Sequence, residues 1–160
     1  RFLVRQMLAP VDWKRATFVA ELGAGTGILT RDIARCRSPK SRVLVFELDD
    51  AMREGLQSEF REFRISSDAA RLREIMDQEG IPAFDCILSS LPFAVFPQEL
   101  RHVLLENIRT CLAPSGIFVA YQYSLQMRSQ FAQIFDDISL RFVPLNVPPA
   151  VVYRCRWKNR

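Results

Sequence analysis

Residues 18–27 read Phe18-Val19-Ala20-Glu21-Leu22-Gly23-Ala24-Gly25-Thr26-Gly27, and this stretch decides the fold. An apolar run with one acidic residue opens into a glycine-rich turn, and an amphipathic segment follows at residues 28–34. Glycine adopts backbone angles closed to other residues and lets a ligand approach the main chain, while the N–H groups at a helix start point toward that ligand. The pattern therefore predicts a strand, a tight ligand-binding loop and a helix.

Apolar runs alternate with amphipathic segments along the rest of the chain. Further strands are expected at residues 43–46, 63–65, 84–89, 117–123, 140–145 and 151–157. Helices are expected at residues 1–8, 28–36, 50–60, 68–78, 98–112 and 127–136, with a turn at Ser115-Gly116. The alternation predicts a parallel, doubly wound α/β sheet, and the two final strands predict an antiparallel C-terminal hairpin. We expect one domain over residues 1–160, with residues 1–15 as a helical lead-in.

The net charge of +4 is unevenly distributed. Residues 1–40 carry eight Lys or Arg against three Asp or Glu (+5), residues 41–140 nine against fifteen (−6), and residues 141–160 five against none (+5). Basic ends indicate an anionic partner, either nucleic acid or membrane, with an ordinary solvated surface as the alternative. No apolar run is long enough to span a bilayer, and no signal peptide pattern is present. The chain begins with Arg1 rather than Met, which leaves room for a segment before it.

The four cysteines and the single histidine do not indicate metal binding or redox chemistry. Cys36, Cys86, Cys111 and Cys155 form no C-x-x-C pair, and the single histidine, His102, has no second ligand at a metal-site spacing. We interpret the cysteines as reduced core residues of a cytosolic protein. His102 falls within a predicted helix and is interpreted as a structural or surface residue rather than a general base.

The order of the glycines separates two classes of nucleotide-binding loop. The dinucleotide fingerprint is G-x-G-x-x-G, whereas this loop is G-x-G-x-G preceded by Glu21. The variant resembles the first motif of class I S-adenosylmethionine (SAM) methyltransferases, which have a seven-stranded Rossmann-like sheet. The resemblance implies SAM as cofactor and S-adenosylhomocysteine as product, with the acidic residue pairing with the amino group of the cofactor. A glycine turn used only for packing is the alternative.

Acidic residues after the next two strands extend the predicted cofactor site. Glu47 lies twenty residues after Gly27, close to the spacing of a ribose-binding acid, and a carboxylate can accept both ribose hydroxyls. The family resemblance implies that Asp68 accepts from the adenine amino group; its alternative is a helix N-cap. Met52, at helical spacing, is expected in the core. The predicted cofactor-binding residues are Glu21, Gly23, Ala24, Gly25, Gly27, Glu47, Leu48, Asp68, Ala69 and Ser89.

Two resemblances concern the methyl acceptor. Ser89-Ser90-Leu91-Pro92-Phe93 stands where enzymes that methylate base amino groups carry Asn/Asp/Ser-Pro-Pro-Tyr/Phe, with Leu91 in place of the first Pro. Together with Leu112-Ala113-Pro114-Ser115-Gly116, Tyr121-Gln122-Tyr123 and Asn146-Val147-Pro148-Pro149-Ala150-Val151-Val152-Tyr153, it resembles the bacterial phospholipid N-methyltransferases of the Rhodobacter type. The second resemblance implies methylation of phosphatidylethanolamine toward phosphatidylcholine. Members of that family usually carry an amphipathic N-terminal helix, for which residues 1–8 are the candidate here.

An amine must lose a proton before it attacks the methyl group, so the acceptor site needs a group that orients or relays that proton. Tyr123, Tyr121 and Ser90 are the candidate catalytic residues, and the high pKa of tyrosine favours positioning over a base role. Leu91, Pro92, Phe93 and Asn146 are the candidate substrate-binding residues. For the tyrosines the alternative is a place in the sheet, and for Asn146 it is a turn.

The first hypothesis is therefore N-methylation of phospholipid headgroups by a cytoplasmic enzyme bound peripherally to the inner face of the cell membrane. Arg1, Arg5, Lys14, Arg15 and the basic residues alternating through 151–158 are expected to attract anionic lipid in a salt-sensitive way. The alternatives are an RNA adenine dimethyltransferase-like enzyme, a SAM-binding scaffold without an acceptor site and a small-molecule methyltransferase. Nucleic acid is the less favoured partner, and the sequence specifies no oligomeric state.

Overall fold

The computed structural model describes residues 2–157, and in that range seven strands form one sheet. The strands are β1 Phe18–Leu22, β2 Arg42–Phe46, β3 Arg64–Ser66, β4 Phe84–Ser89, β5 Leu112–Gln122, β6 Asp137–Val143 and β7 Ala150–Arg156. The α-helices are α1 Phe2–Leu8, α2 Ile28–Cys36, α3 Asp50–Glu59, α4 Leu72–Gln78, α5 Gln98–Cys111 and α6 Arg128–Ile134. Short 3₁₀ helices cover Ala69–Arg71 and Phe93–Val95. Arg1, the first residue of the predicted N-terminal helix, lies outside the described residues.

The strand order is β3-β2-β1-β4-β5-β7-β6. All neighbouring pairs from β3 to β5 are parallel, whereas β7 runs antiparallel to both β5 and β6. The predicted Rossmann-like sheet with an antiparallel C-terminal hairpin is confirmed. The chain moves outward from β1 in both directions, so a crevice opens beside β1 at the carboxyl ends of the strands.

Two apolar cores lie on opposite faces of the sheet. Successive residues of β1 alternate between them: Val19 packs in the core that includes α1, α2 and α3, and Ala20 packs in the core of α4, α5 and α6. β2 shows the same alternation, with Val43 on one face and Leu44 on the other. Because both faces are covered, the inner strands are nearly continuous apolar runs, as expected for buried parallel strands.

The predicted turn at Ser115-Gly116 lies inside β5 instead of before it. Phe84 of β4 pairs with Leu112 and Cys86 pairs with Ile117, so two steps along β4 correspond to five along β5. The extra residues bulge out and Ser115 is exposed. Turn residues can therefore interrupt a ladder without ending the strand.

Several other predicted boundaries and core positions are wrong. β6 ends at Val143 instead of residue 145, because Pro144 has no N–H to donate to the ladder. The predicted helix 68–78 divides into a 3₁₀ turn and α4. Met52 is exposed instead of lying in the core, and Cys36 is exposed at the end of α2, whereas the other three cysteines are buried.

Asp85 provides a test of how the sheet is held at the amino ends of its strands. Its Oδ2 accepts hydrogen bonds from the backbone N–H groups of Thr17 (2.8 Å) and Phe18 (2.9 Å), which joins the start of β1 to β4. Asp85→Ala should lower the free energy of unfolding by about 1–3 kcal/mol, because two donors lose a charged partner. Asp77→Ala, which removes only an exposed ion pair with Arg73, should cost less than about 1 kcal/mol. Urea unfolding measures both variants, and equal losses would contradict the assignment.

Candidate active site

A cavity of about 680 Å³ opens at the carboxyl ends of β1, β2, β4 and β5. Its glycine side is formed by the loop after β1 and the segments after β2 and β3: Gly23, Ala24, Gly25, Thr26, Phe46, Glu47, Leu48, Ser67, Asp68 and Ala69. Its tyrosine side is formed by α1, the start of α2, the end of β5 and the β6–β7 connection: Leu3, Val4, Met7, Ile28, Leu29, Tyr121, Tyr123, Asn146 and Val147. Between the two sides lie Ser90, Leu91, Pro92, Phe96, Leu100 and Leu104.

Hydrogen bonds hold the glycine loop against the end of β2. The N–H groups of Gly23 (2.9 Å) and Ala24 (3.1 Å) both donate to the Phe46 carbonyl, and the N–H of Gly25 donates to Glu47 Oε2 (2.6 Å). These amides therefore fix the loop, whereas the sequence predicted that they would be free to face the ligand. The space beside the α-carbon of Gly25 is open, so a ligand can still approach the main chain of the loop there.

The backbone conformation of Gly23 requires glycine, because its φ of +77° lies in the left-handed region. A Cβ there would also come within 2.8 Å of Leu91 Cδ2 and would force that side chain to shift. The close approach means that the loop after β1 packs directly on the loop after β4. The glycine thus sets the width of the cavity between its two sides.

The Glu47 carboxylate connects the loop to the segment that follows β2. Oε2 accepts from Gly25, and Oε1 accepts from the N–H of Asp49 at 2.9 Å. The side chain is nearly buried but still lines the cavity. Because a carboxylate has about four lone-pair sites, Glu47 retains capacity for two further donors.

Glu21 is a fully buried carboxyl beneath the loop. Within residues 2–157, neither of its oxygens has a hydrogen-bond partner, and the nearby Thr30 hydroxyl is likewise unpartnered. Burial raises the pKa of Glu21 from 4.5 to about 8; the Thr30 hydroxyl opposes this shift and the Glu47 carboxylate adds to it. Glu21 does not line the cavity itself. It is an orphaned acidic group next to the glycine side.

The far wall of the glycine side comes from the segments after β2 and β3. Asp68 Oδ1 accepts from the Ala70 N–H at 2.8 Å, so the predicted capping role is present, and the residue also lines the cavity with Ala69. Leu48 is three-quarters exposed at the mouth. Asp68 therefore has one oxygen in the cap and a second available to a ligand.

The two tyrosines stand together at the end of β5. The Tyr121 and Tyr123 ring centroids are 5.7 Å apart with an edge-to-face arrangement, and Ser90 lies beside Tyr121. Burial raises the pKa of Tyr121; the neighbouring Tyr123 adds to this effect and Ser90 opposes it. A raised pKa keeps the Tyr121 hydroxyl protonated at neutral pH. The geometry thus favours a hydrogen-bonding role over a base role.

Besides Glu21, three predicted site residues lie outside the cavity. Ser89 is fully buried, and its hydroxyl accepts from the Leu91 N–H at 3.2 Å. Phe93 is fully buried in an aromatic cluster with Phe118 and Phe131, so its ring is not presented to a substrate. Gly27 is the N-cap residue of α2, has a φ of +81° and packs against α3. In each case the residue supports the loops that line the cavity.

Sequence reasoning missed Gln122, which stands between the two tyrosines in the sequence and is buried. Its Nε2 donates to the carbonyl of Leu91 at 2.8 Å and to that of Tyr121 at 2.6 Å. It therefore ties the loop after β4 to the end of β5. A polar residue within an otherwise apolar strand end was the available signal.

The apolar contribution of α1 to the cavity, through Leu3, Val4 and Met7, was also missed.

The expected basic face of β7 takes a different form. Val152, on the side predicted to be basic, is buried, and Arg154 bonds to the Gln6 carbonyl of α1 while Arg156 bonds to that of Pro10. Both faces of this strand are covered, because Val152 packs in the core with α1 and Tyr153 packs in the core on the opposite face of the sheet. Lys158, also named in the prediction, lies outside the described residues. Arg5, Lys14 and Arg15 are exposed as expected.

The described residues hold no cluster of three or more candidate metal ligands. No helix among them has the length and apolarity needed to cross a membrane. His102 lies on α5, outside the cavity.

The Glu21 carboxyl should make stability depend on pH. Its folded pKa of about 8 lies above the ordinary value of 4.5, so its contribution is fully present below pH 4.5 and is lost as the pH rises through about 8. Relative to Glu21→Gln, the unliganded protein should lose up to about 1.4 kcal/mol of unfolding free energy per pH unit across that window. Urea unfolding of both proteins over this pH range tests the effect. Parallel stability curves would show that Glu21 is already ionised.

The geometry agrees with comparisons to known proteins. A family model described as "Methyltransferase domain" matches residues 19–116, which include the glycine loop, Glu47, Asp68 and the segment after β4. Ornithine lipid N-methyltransferase from Singulisphaera acidiphila is 35% identical over 97% of this chain and 83% of that protein. A probable ribosomal RNA small subunit methyltransferase A from Halobacterium salinarum is 29% identical over 71% of this chain and 36% of that protein.

A solved structure shows the same fold. The crystal structure of human methyltransferase-like protein 13 in complex with S-adenosylhomocysteine has a TM-score of 0.70 at 16% identity, and the match covers 98% of this chain and 82% of that one. The family match and the fold establish S-adenosylmethionine as the cofactor. The chain belongs to the class I SAM-dependent methyltransferases and is a SAM-dependent N-methyltransferase.

Proposed function

We propose that this enzyme transfers a methyl group from SAM to the amine of a membrane-lipid headgroup. The observation that carries the proposal is the two-sided cavity: the glycine side provides acidic groups, and the tyrosine side is mainly apolar. Among the described residues, its lining contains no Lys, Arg or His. The extensive similarity to an enzyme named for a lipid substrate supports the same conclusion.

On the glycine side, the residues present fit the cofactor. The unpartnered carboxyl of Glu21 suits the cationic amino group, and the spare lone pairs of Glu47 suit the ribose hydroxyls. The free oxygen of Asp68 and the N–H of Ala69 suit the adenine edge, against which Leu48 supplies apolar contact. When bound, SAM supplies an electrophilic methyl group on a positively charged sulfur. The loop glycines Gly23 and Gly25 admit the amino-acid part of the molecule.

On the tyrosine side, the proposed task is to orient an amine. Ser90, Tyr121 and Tyr123 provide hydroxyl groups, whereas the Leu91 carbonyl already accepts from Gln122 Nε2 and from the Phe93 N–H. A protonated ammonium cannot attack, so its proton first passes to water; the hydroxyl oxygens then accept from the N–H groups of the neutral amine and leave its lone pair free to attack. In-line placement of the amine is then the main contribution of the protein. Leu91 and Pro92 are retained as substrate contacts, and the buried Phe93 is not.

Two headgroups satisfy this chemistry. The sequence resemblance implied phosphatidylethanolamine, and the relative is named for ornithine lipid. Both present an amine on a flexible arm. Asn146, predicted as a substrate-binding residue or a turn residue, donates to the Pro148 carbonyl at 2.7 Å and so braces the β6–β7 connection. Within the cavity, the described residues thus provide no cation for a phosphate, which leaves the phosphate of phosphatidylethanolamine at the mouth.

An RNA acceptor has weaker support. A flipped base needs an aromatic face, and Phe93, which aligns with that position, is buried away from the cavity. The RNA backbone needs cations near the mouth, and the described residues that line the cavity include no Lys, Arg or His.

We place the enzyme in the cytoplasm, on the inner face of the membrane where its acceptor and SAM meet.

Methyl transfer to lipid tests the function directly. Phosphatidylcholine vesicles containing either phosphatidylethanolamine or ornithine lipid are incubated with the full-length protein and methyl-labelled SAM, and label is counted after organic extraction. At least one of the two lipids should be labelled, with pure phosphatidylcholine vesicles as the blank. Labelling of added ribosomal RNA alone would reverse the assignment. No label in any of these acceptors would contradict the proposal and would favour a small-molecule acceptor.

The ribose role of Glu47 has a calorimetric test. Glu47→Ala should weaken S-adenosylhomocysteine binding by about 10- to 100-fold, because two charge-assisted hydrogen bonds are removed. Glu54→Ala, at an exposed carboxylate on α3, is the matched control and should bind normally. Because Glu47 also accepts from Gly25, unfolding of both variants is measured without ligand. Unchanged affinity in a folded Glu47→Ala protein would remove Glu47 from the site.

A further inference from the structure

We infer that an apolar rim on the tyrosine side of the cavity inserts into the interfacial layer of a lipid bilayer. The rim consists of Ile28, Tyr123, Leu125, Leu145 and Val147. The inference rests on the proposed function, because a lipid acceptor whose amine enters the cavity keeps its acyl chains at the mouth. It assigns the membrane contact to this rim instead of the basic ends of the chain.

The topology brings the rim segments to one edge. Gln122, at the end of β5, pairs with Val151 at the start of β7, so the β6–β7 connection lies beside the segment that follows β5. Tyr123, Val147 and the first residue of α2, Ile28, all line the cavity. Leu125 and Leu145 lie two residues from Tyr123 and Val147. Three rim residues therefore line the tyrosine side of the cavity, and the other two flank Tyr123 and Val147 in the sequence.

The rim is apolar although it faces water. Leu145 is 78% exposed and Val147 is 94% exposed, while Ile28, Tyr123 and Leu125 are each more than half exposed. Residues 143–149, Val-Pro-Leu-Asn-Val-Pro-Pro, contain no charged side chain. A cluster of exposed apolar side chains around a pocket marks an interaction surface, and tyrosine is favoured at the boundary between lipid and water.

The charges nearby favour a bilayer bound by apolar contact. Arg154 and Arg156, which the sequence offered as lipid-attracting cations, are engaged by carbonyl oxygens of Gln6 and Pro10. The rim itself carries no charge that would select an anionic surface. Binding should therefore occur on zwitterionic lipid and should persist at high salt, because apolar burial is not screened.

The test is the partitioning of the full-length protein onto phosphatidylcholine vesicles by flotation, with S-adenosylhomocysteine present so that no turnover occurs. The double variant Leu125→Ser/Leu145→Ser should partition about tenfold or more weakly, because two apolar side chains lose their burial in lipid. Neither residue lines the cavity, so its S-adenosylhomocysteine affinity should be unchanged. The control is Val103→Ser, an exposed apolar position on α5 outside the cavity, which should partition like the wild type.

Four results would overturn the rim assignment. The first is unchanged partitioning in a folded double variant, and the second is an equal loss in Val103→Ser. The third is binding confined to anionic vesicles and abolished between about 0.1 M and 1 M NaCl, which would assign the contact to the basic chain ends. A self-association of the protein that disappears in the double variant would assign the rim to a second copy and would also overturn it.

The failure of this inference is distinguishable from failure of the proposed function. Partitioning is measured without methyl transfer, and methyl transfer is measured on lipid dispersed in detergent micelles as well as in vesicles. If the function is wrong, neither preparation is labelled although the rim still controls partitioning. If the rim is wrong, micellar and vesicular lipid are both methylated by the double variant as well as by the wild type.

Discussion

The attachment of the glycine loop to the end of β2 is the constraint on which the rest of the site depends. One carbonyl, that of Phe46, accepts from two successive loop amides, and the neighbouring Glu47 carboxylate accepts from a third. The loop can follow this path because its glycines adopt positive φ, and it also packs on Leu91 after β4. Three strand ends are thus held at fixed separation, and the cavity is the space that they leave.

On the glycine side, the protonation state of Glu21 depends on whether a cationic ligand is bound. Glu21 is buried without a hydrogen-bond partner among the described residues, and the nearby Glu47 carboxylate adds to the burial that raises its pKa. Without a ligand the neutral form of Glu21 is favoured, whereas a cationic ligand favours the charged form. In the proposed complex the cationic amino group of the cofactor lies near Glu21, so binding releases a proton, and cofactor affinity should rise with pH wherever Glu21 is otherwise protonated.

The fold and the glycine side could be predicted from sequence because both depend on local patterns. The run from Phe18 to Gly27 defines a strand and turn within ten residues, and Glu47 follows at a spacing that the βαβ unit sets. The tyrosine side depends on contacts between segments far apart in the chain. Gln122 donates a hydrogen bond to a loop 31 residues away in the sequence. Phe93 is buried because its ring packs edge-to-face against Phe118 and Phe131. The sequence marks Gln122 only as a polar residue in an apolar strand end, without indicating its partner, and it gives no signal for the burial of Phe93.

The difference between the glycine side and the tyrosine side of the cavity also bears on the choice of acceptor. The glycine side is proposed to bind the cofactor, and the family match over residues 19–116 includes all of its lining residues. Most of the tyrosine side, namely α1, the residues at the end of β5 and the β6–β7 connection, lies outside that matched range, whereas the start of α2 lies inside it. We therefore propose that acceptor choice depends mainly on the segments outside the match. In this chain those segments supply leucine, valine and tyrosine instead of arginine and lysine, which favours an acceptor whose bulk is hydrocarbon over one whose backbone is phosphate.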